Sequence, residues 1–145
     1  MPINIHSTTV CNAPRAKVFA YVDDYRNVPE WLFGISRFEP TTDQVRGLGA
    51  VFEGSIHVGT TLHSTVEVKA YEEGRMFEFD SVKGFKNSSR WTFEDIDAET
   101  TRISADVSYE LPGGLAGKAL GRLIEPFVKV TVKKSGESLA QHASA

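Results

Sequence analysis

The sequence predicts an α+β domain in which one curved antiparallel sheet of about seven strands covers a long C-terminal helix. Two observations predict this class. From residue 35 to residue 111, apolar and polar side chains alternate, as they do in antiparallel strands that have one covered face. Helical spacing occurs before and after this region but not within it, which argues against a parallel βαβ sheet. The length of 145 residues corresponds to one domain, which we assign to residues 1–145.

The first elements are predicted to be a strand and two short helices. Residues 3–11 are rich in β-branched side chains, which is typical of a strand. Pro14 suits the first turn of a helix, where its missing N–H costs nothing. The apolar face of this helix comprises Val18, Phe19 and Val22. A second short helix is predicted from Asn27, as its N-cap, to Leu32.

The strands that follow are predicted to share one inward apolar face. In each of them a side chain of the apolar set is followed by a polar one, so the charged residues fall almost entirely on the outer face. The inward set comprises Phe52, Ile56, Leu62, Val66, Val68, Phe77, Phe79, Trp91, Phe93, Val107 and Tyr109. This set predicts a continuous concave wall.

The register of one hairpin follows from the requirement that opposed residues point to the same face. A three-residue loop, residues 59–61, would place Val58 opposite Leu62 and keep the apolar residues of both strands on one side. The same register would place His57 opposite His63 on the outer face. A two-residue loop would mix the two faces.

The last segment is predicted to be a long helix. Pro112 and the two glycines after it end the strand pattern. The apolar residues at helical spacing are Leu120, Ile124, Phe127, Val128, Thr131 and Leu139. Pro126 lacks an N–H for the carbonyl of Arg122 and clashes with it, so we expect a kink or break between these residues.

The order of a strand, two short helices, six strands and a long helix resembles the helix-grip fold of the START-like (SRPBCC) superfamily, which includes the birch-pollen allergens. Three stretches carry the likeness: residues 13–19, residues 27–32 and residues 111–115. The last of them is similar to the polyketide cyclase/dehydrase and lipid-transport branch. The resemblance implies a cavity between the concave face of the sheet and the long helix. It implies no particular reaction, because members carry lipids, bind hormones or quinones, or shape polyketide chains.

The candidate ligand-binding residues combine the predicted inward face with the elements that would close the cavity. Aromatic and aliphatic side chains would form the wall, and a few hydroxyls would orient a ligand. The candidates are Trp31, Phe52, Ser64, Val66, Phe79, Ser81, Trp91, Tyr109, Leu120, Ile124 and Phe127. Periodicity alone favours a solid core filled by these side chains. The resemblance favours the cavity.

No catalytic, cofactor or metal site is predicted. The alternation places no His, Asp or Glu on the inward face, and general acid–base catalysis needs such a group near the substrate. His57 and His63 form a cross-strand pair at most, whereas zinc sites take three or four protein ligands. Residues 113–118 are one residue shorter than a phosphate-binding loop, and Ala119 replaces the Ser or Thr that would bind magnesium.

Three functions fit these observations. The first is a carrier that binds an apolar small molecule such as a lipid, isoprenoid, quinone or polyketide. The second is a polyketide aromatase or cyclase that acts by positioning the chain. The third is an accessory protein with a filled core that binds a partner or a membrane. Ligand access would need movement of the short helices or of residues 84–87, where an exposed Phe85 would form a gate.

The charge pattern narrows the choice of partners. The net charge of −3 argues against nucleic acid, which requires a concentrated basic surface. Lys129, Lys133 and Lys134, with Arg122, form a small basic cluster that would allow weak contact with an anionic membrane surface. The first ten residues lack the basic and apolar regions of a secretory signal, and we expect a soluble cytoplasmic protein. The oligomeric state is not indicated.

Overall fold

One sheet of seven antiparallel strands forms the framework of the molecule. The computed structural model describes residues 2–145. The strands are β1 (Ile3–Cys11), β2 (Ile35–Pro40), β3 (Val51–His57), β4 (Thr61–Glu72), β5 (Met76–Gly84), β6 (Asn87–Asp97) and β7 (Thr100–Tyr109). They lie in the order β1-β7-β6-β5-β4-β3-β2, so only the first strand is out of sequence order. The sheet curls, and its concave face receives the helices.

The helices are α1 (Arg15–Val22), α2 (Val28–Trp31) and α3 (Gly114–Ala143), with a 3₁₀ turn (Tyr25–Asn27) before α2. The predicted α+β class is confirmed, with two short helices after β1 and one long helix at the end. Asn27 occupies the N-cap position of α2, as expected, but its side chain makes no bond to the helix. Its Nδ2 donates to the carbonyl of Tyr21, 2.9 Å away. No helix within residues 2–145 is long and apolar enough to cross a membrane.

Phe19 fixes α1 on the sheet. Its ring meets Tyr71 at 5.9 Å, Phe77 at 6.4 Å and Phe93 at 5.5 Å between centroids, each edge to face. Such pairs add about 0.5–1.5 kcal/mol each to the free energy gained by burial. The inward alternation predicted for β3 to β7 therefore ends in a closed aromatic core beneath α1.

The C-terminal half of α3 lies directly on β1. Gly136 has no room for a side chain, because an added Cβ would lie 2.8 Å from Oγ1 of Thr9. One turn later, Sγ of Cys11 donates to the carbonyl of Ala140, 3.3 Å away. Small residues at the contact allow helix and strand to approach closely, and burial of the Cys11 thiol raises its pKa.

The helix α3 continues without a break from Gly114 to Ala143. Of the two outcomes expected near Pro126, the break is therefore wrong, and the kink stays a prediction. Pro126 lies on the exposed side of the helix, where water can satisfy the Arg122 carbonyl that proline leaves without its helical partner. Packing of the helix on both sides of this point keeps it continuous.

The register of the β3–β4 hairpin differs by two residues from the expectation. Ile56 pairs with Leu62, and Ser55 rather than His57 pairs with His63. The loop still has three residues, but these are 58–60, because Val58 leaves the strand and is buried with only 5% exposed. A shift of two residues preserves the face of every side chain, so the inward set is unchanged.

Gly59 is expected to be indispensable for seating this loop under α3. Its φ is +80°, and an added Cβ would lie 2.4 Å from the carbonyl oxygen of Leu123. Gly74 provides a matched control, since its φ is also +80° but nothing lies within 4 Å of an added Cβ. Gly74→Ala should cost about 1–2 kcal/mol for the left-handed backbone. Gly59→Ala should cost about 1–3 kcal/mol more for the clash.

Urea unfolding of both variants measures the difference. Equal losses in the free energy of unfolding would contradict the close contact between the β3–β4 loop and α3.

Candidate functional site

A cavity of about 190 Å³ lies between the concave face of the sheet and α3. All elements except α1 and β1 contribute to its wall, together with the β3–β4 loop and the turn after β5. The apolar wall comprises Val28, Trp31, Leu32, Ile35, Phe38, Ile56, Val58, Leu62, Val66, Phe79, Phe85, Trp91, Val107, Tyr109, Ile124, Val128 and Val132. The polar side chains in the wall are Ser55, Ser64, Asn87, Ser89, Thr131 and Ser135. The cavity is thus apolar with a few uncharged polar groups.

Both tryptophans of the chain belong to this wall. The rings of Trp31 and Trp91 meet at 5.0 Å with an interplanar angle of 77°. Nε1 of Trp31 is buried and has no hydrogen-bond partner among residues 2–145. The pair forms a rigid aromatic corner, because each ring limits the rotation of the other.

A hydrogen-bonded cluster closes the other end of the cavity. Nδ2 of Asn87 donates to the carbonyl of Phe85 at 2.8 Å and to Oγ of Ser64 at 2.9 Å. The Ser64 hydroxyl also donates to the Phe85 carbonyl at 3.1 Å. These bonds tie β4 to the turn between β5 and β6, so the polar groups at this end have fixed orientations.

Among the wall residues that the structure describes, Tyr109 is the one whose side chain can ionise. Burial, and secondarily the charge of Glu125, raises the pKa of Tyr109. Its hydroxyl therefore stays protonated at neutral pH and acts as a hydrogen-bonding group rather than a base. The ring packs against Phe85 with 5.9 Å between centroids.

Most of the sequence-predicted candidates lie in the wall. Those that line the cavity are Trp31, Ser64, Val66, Phe79, Trp91, Tyr109 and Ile124. Their assignment to ligand binding stays a prediction, but the structure brings their side chains together around one space.

Four candidates lie elsewhere. Phe52 stacks on Phe38 at 4.7 Å in the core behind the cavity. Oγ of Ser81 accepts the backbone N–H of Asn87 and holds the β5–β6 turn. Leu120 packs against the smaller core cluster of Val58, Tyr109 and Ile124. Phe127 was expected to close the cavity but does not line it, and it is 49% exposed.

Among the wall residues that the sequence reasoning missed, three lie near the β5–β6 turn. Asn87 and Ser89 lie four and two residues before Trp91 on β6, so the alternation of the strand predicts that they share its inward face. They were missed because two polar side chains beside a turn do not by themselves indicate a cavity. Phe85 was expected to be exposed, and this is wrong: it is half-buried in the wall. Its ring reaches Tyr109, a contact between distant segments that no local pattern predicts.

The outer-face histidines do not converge on a metal site. Nδ1 of His63 is hydrogen-bonded to Oγ of Ser55 at 2.8 Å, and His57 pairs with Thr61 across the hairpin. Among residues 2–145, no group of three His, Cys, Asp or Glu side chains could hold a metal ion.

A larger open groove of about 740 Å³ lies beside α1. It is crossed by the guanidinium of Arg46, whose nitrogens lie 2.9 Å from the Asp23 carboxylate and 3.1 Å from that of Glu73. These charges pair with one another at the solvent surface. The apolar interior cavity is the better candidate for a small-molecule site.

Comparison with known proteins identifies relatives of this fold. The family model described as polyketide cyclase/dehydrase and lipid transport matches residues 2–144. No curated protein matches the sequence. TTHA0849 from Thermus thermophilus is similar in structure, with a TM-score of 0.81, 18% identity and 97% of each chain covered.

Two further solved structures share the fold. The Zhui aromatase/cyclase from Streptomyces sp. R1128 has a TM-score of 0.81 and 14% identity, over 99% of this chain and 94% of its own. A START superfamily protein from Mycobacterium smegmatis has a TM-score of 0.75 and 15% identity, over 97% and 96%. At these identities the likeness concerns the fold alone.

Ionisation of Tyr109 is expected to destabilise the folded protein at alkaline pH. Because burial raises the pKa of Tyr109, the folded state holds this proton more tightly than the unfolded chain does. The resulting stability is fully present below the unfolded pKa of about 10 and is lost as the pH rises through the folded-state pKa. Tyr109→Phe should therefore lose less free energy of unfolding than the wild type between about pH 9 and about pH 11.

Urea unfolding at a series of pH values measures this difference. Parallel pH profiles for the two proteins would contradict the placement of the phenol in a dry wall.

Proposed function

This chain belongs to the polyketide cyclase/dehydrase and lipid-transport family, and we propose that it binds and carries an apolar small molecule in the cavity beneath α3. The observation that carries the proposal is the composition of the wall, in which aliphatic and aromatic side chains surround a free volume of about 190 Å³. A ligand gains about 25 cal/mol for each Å² of apolar surface removed from water. Burial of the ligand would drive binding, and the few hydroxyls would set its orientation.

The free volume also bears on the accessory-protein hypothesis, which requires a core filled by side chains. Close-packed interiors leave few voids larger than a water molecule, whereas this cavity exceeds the engineered apolar cavity of about 150 Å³ that accommodates benzene. An open cavity favours the binding of a small molecule over a filled core.

A cyclase role is a second prediction that the family description allows. Proton transfer in such a reaction needs a titratable group near the substrate, and the phenol of Tyr109, with its raised pKa, is a poor base at neutral pH. A cyclase built on this wall would have to act by holding its substrate chain in a folded shape. Binding is the step that both roles share, and it is the step we propose.

Contact with a membrane surface stays a prediction. Lys129, Lys133 and Lys134 are exposed on α3, as is Arg122. Nζ of Lys134 lies 5.0 Å from the ring centre of Phe33, which is itself half exposed. This arrangement places cations beside an apolar side chain, as weak docking to anionic lipid requires.

Protein purified without denaturants is expected to contain an apolar molecule. The experiment is to unfold the purified protein, extract it with organic solvent and identify the extract by mass spectrometry. A stoichiometric apolar compound would support the proposal and reveal the chemical class of the ligand. An empty protein that also fails to bind apolar probes would overturn the proposal.

Filling the cavity from β7 is expected to block binding. Val107→Phe adds a ring to the wall, whereas Val82→Phe makes the same change at a side chain that is 50% exposed on β5. With naphthalene as the probe, Val107→Phe should weaken binding at least about tenfold, because overfilling forces the wall to shift. The control should bind like the wild type.

Isothermal titration calorimetry measures these affinities. The indole N–H signals of Trp31 and Trp91 in ¹H–¹⁵N spectra locate the ligand, since both rings lie in the wall. Unchanged binding in Val107→Phe would place the ligand elsewhere.

A further inference from the structure

The cavity wall places a limit on the charge of its ligand. Within residues 2–145 the wall contains no Lys, Arg, His, Asp or Glu side chain. A carboxylate or ammonium group taken into such a wall would lose its water without gaining a partner, at a cost of several kcal/mol. A neutral ligand is therefore favoured over a charged one.

The amide of Asn87 offers a free acceptor at this end. Its orientation is determined by the carbonyl of Phe85, which can only accept hydrogen bonds, so the NH₂ group must face it. Both N–H groups are then used, one by Phe85 and one by Oγ of Ser64. Oδ1 of Asn87 receives no hydrogen bond from residues 2–145.

The hydroxyl of Ser89 offers a free donor and acceptor beside it. Ser89 lies two residues further along β6, on the same face, which corresponds to a separation of about 7 Å between Cα atoms. Its register partners are Phe79 on β5 and Val107 on β7, both apolar. Neither partner has a side chain that could bond to the hydroxyl, and Oγ of Ser89 makes no hydrogen bond within the described part of the chain.

We propose that the cavity selects a neutral, compact ligand with a single hydroxyl group, which donates to Oδ1 of Asn87 and accepts from Oγ of Ser89. This inference rests on the proposed function. A hydroxyl both donates and accepts, so it matches the two free groups together, whereas a methyl group matches neither. The cavity volume of about 190 Å³ corresponds to a molecule somewhat larger than benzene, such as a bicyclic ring system.

Of the other polar groups of the wall, the Trp31 indole and the Thr131 hydroxyl are weaker anchors. The indole nitrogen of Trp31 is an unpaired donor but is buried, so a ligand atom reaches it only if the ring turns. Thr131 is on α3, where a threonine hydroxyl can bond to the carbonyl four residues earlier in its own helix. The Asn87 and Ser89 pair differs in offering both an acceptor and a donor.

The test compares three probes that share one ring system: 2-naphthol, 2-methylnaphthalene and 2-naphthoate. Titration calorimetry at pH 7 should show 2-naphthol binding about tenfold more tightly than 2-methylnaphthalene, which has the same shape without the hydroxyl. The anionic 2-naphthoate should bind at least about tenfold more weakly than 2-naphthol. Equal affinities, or tightest binding of 2-naphthoate, would overturn this proposal and leave the proposed function standing. Failure of all three probes to bind would overturn the proposed function itself.

Variants on β6 identify the anchor. Ser89→Ala should lower the affinity for 2-naphthol to about that for 2-methylnaphthalene and so remove the preference. Ser88→Ala is the matched control, because the Ser88 hydroxyl points to the outer face and donates to Asp80. Loss of the preference in Thr131→Val, with Ser89→Ala unaffected, would place the anchor on α3 and contradict the proposal. Thermal unfolding checks that Ser89→Ala, which removes no hydrogen bond within the described chain, folds normally.

Discussion

The position of α3 over the sheet is the constraint on which the site depends. The helix is held closely along its C-terminal half, where Gly136 meets Thr9 and the Cys11 thiol bonds to the Ala140 carbonyl. Further toward its N-terminus the β3–β4 loop lies against it, with Gly59 directly beneath the Leu123 carbonyl. Between these two contacts the helix passes over the cavity, and Ile124, Val128 and Thr131 contribute to its wall. The free volume lies between this helix and the concave face of the sheet.

The same geometry explains why the cavity is uncharged. Strand residues alternate between two faces, and in this chain the charged ones occupy the outer face, where they form cross-strand pairs such as Arg90 with Glu78 at 2.9 Å. A charge could enter the cavity only from a helix or a turn. The inward side chains of α3 are apolar or carry hydroxyls, and the turn after β5 contributes Phe85 and the amide of Asn87. Polarity at the site therefore comes from neutral groups alone.

The sequence was sufficient to predict the fold, because alternation and helical spacing report directly on which side chains leave water. It predicted the bounds of β1 correctly, and the faces of β3 to β7 except at the end of β4. There a bulge after Val68 pairs Ala70, expected inward, with Glu78, and turns Tyr71 toward Phe77. It failed where a contact between distant segments decides the outcome. The hairpin register moved because Val58 is buried under α3, and Phe127 was assigned inward because helical spacing alone does not determine which edge of a wide apolar stripe meets the sheet. The free groups of Asn87 and Ser89 could not be predicted, since a missing hydrogen-bond partner is a property of the assembled site.

The low sequence identities to the solved relatives fit this contrast between a predictable fold and an unpredictable site. Chains that share only 14–18% of their residues with this one have TM-scores of 0.81, so the fold requires a pattern of apolar faces rather than particular side chains. Wall residues are then free to vary as long as they stay apolar, and the groups that distinguish one ligand from another are the few polar ones. In this chain the bonds that hold the β5–β6 turn also hold the Asn87 amide in one orientation. A structural requirement of the turn thereby fixes which atom of Asn87 is left free to meet a ligand.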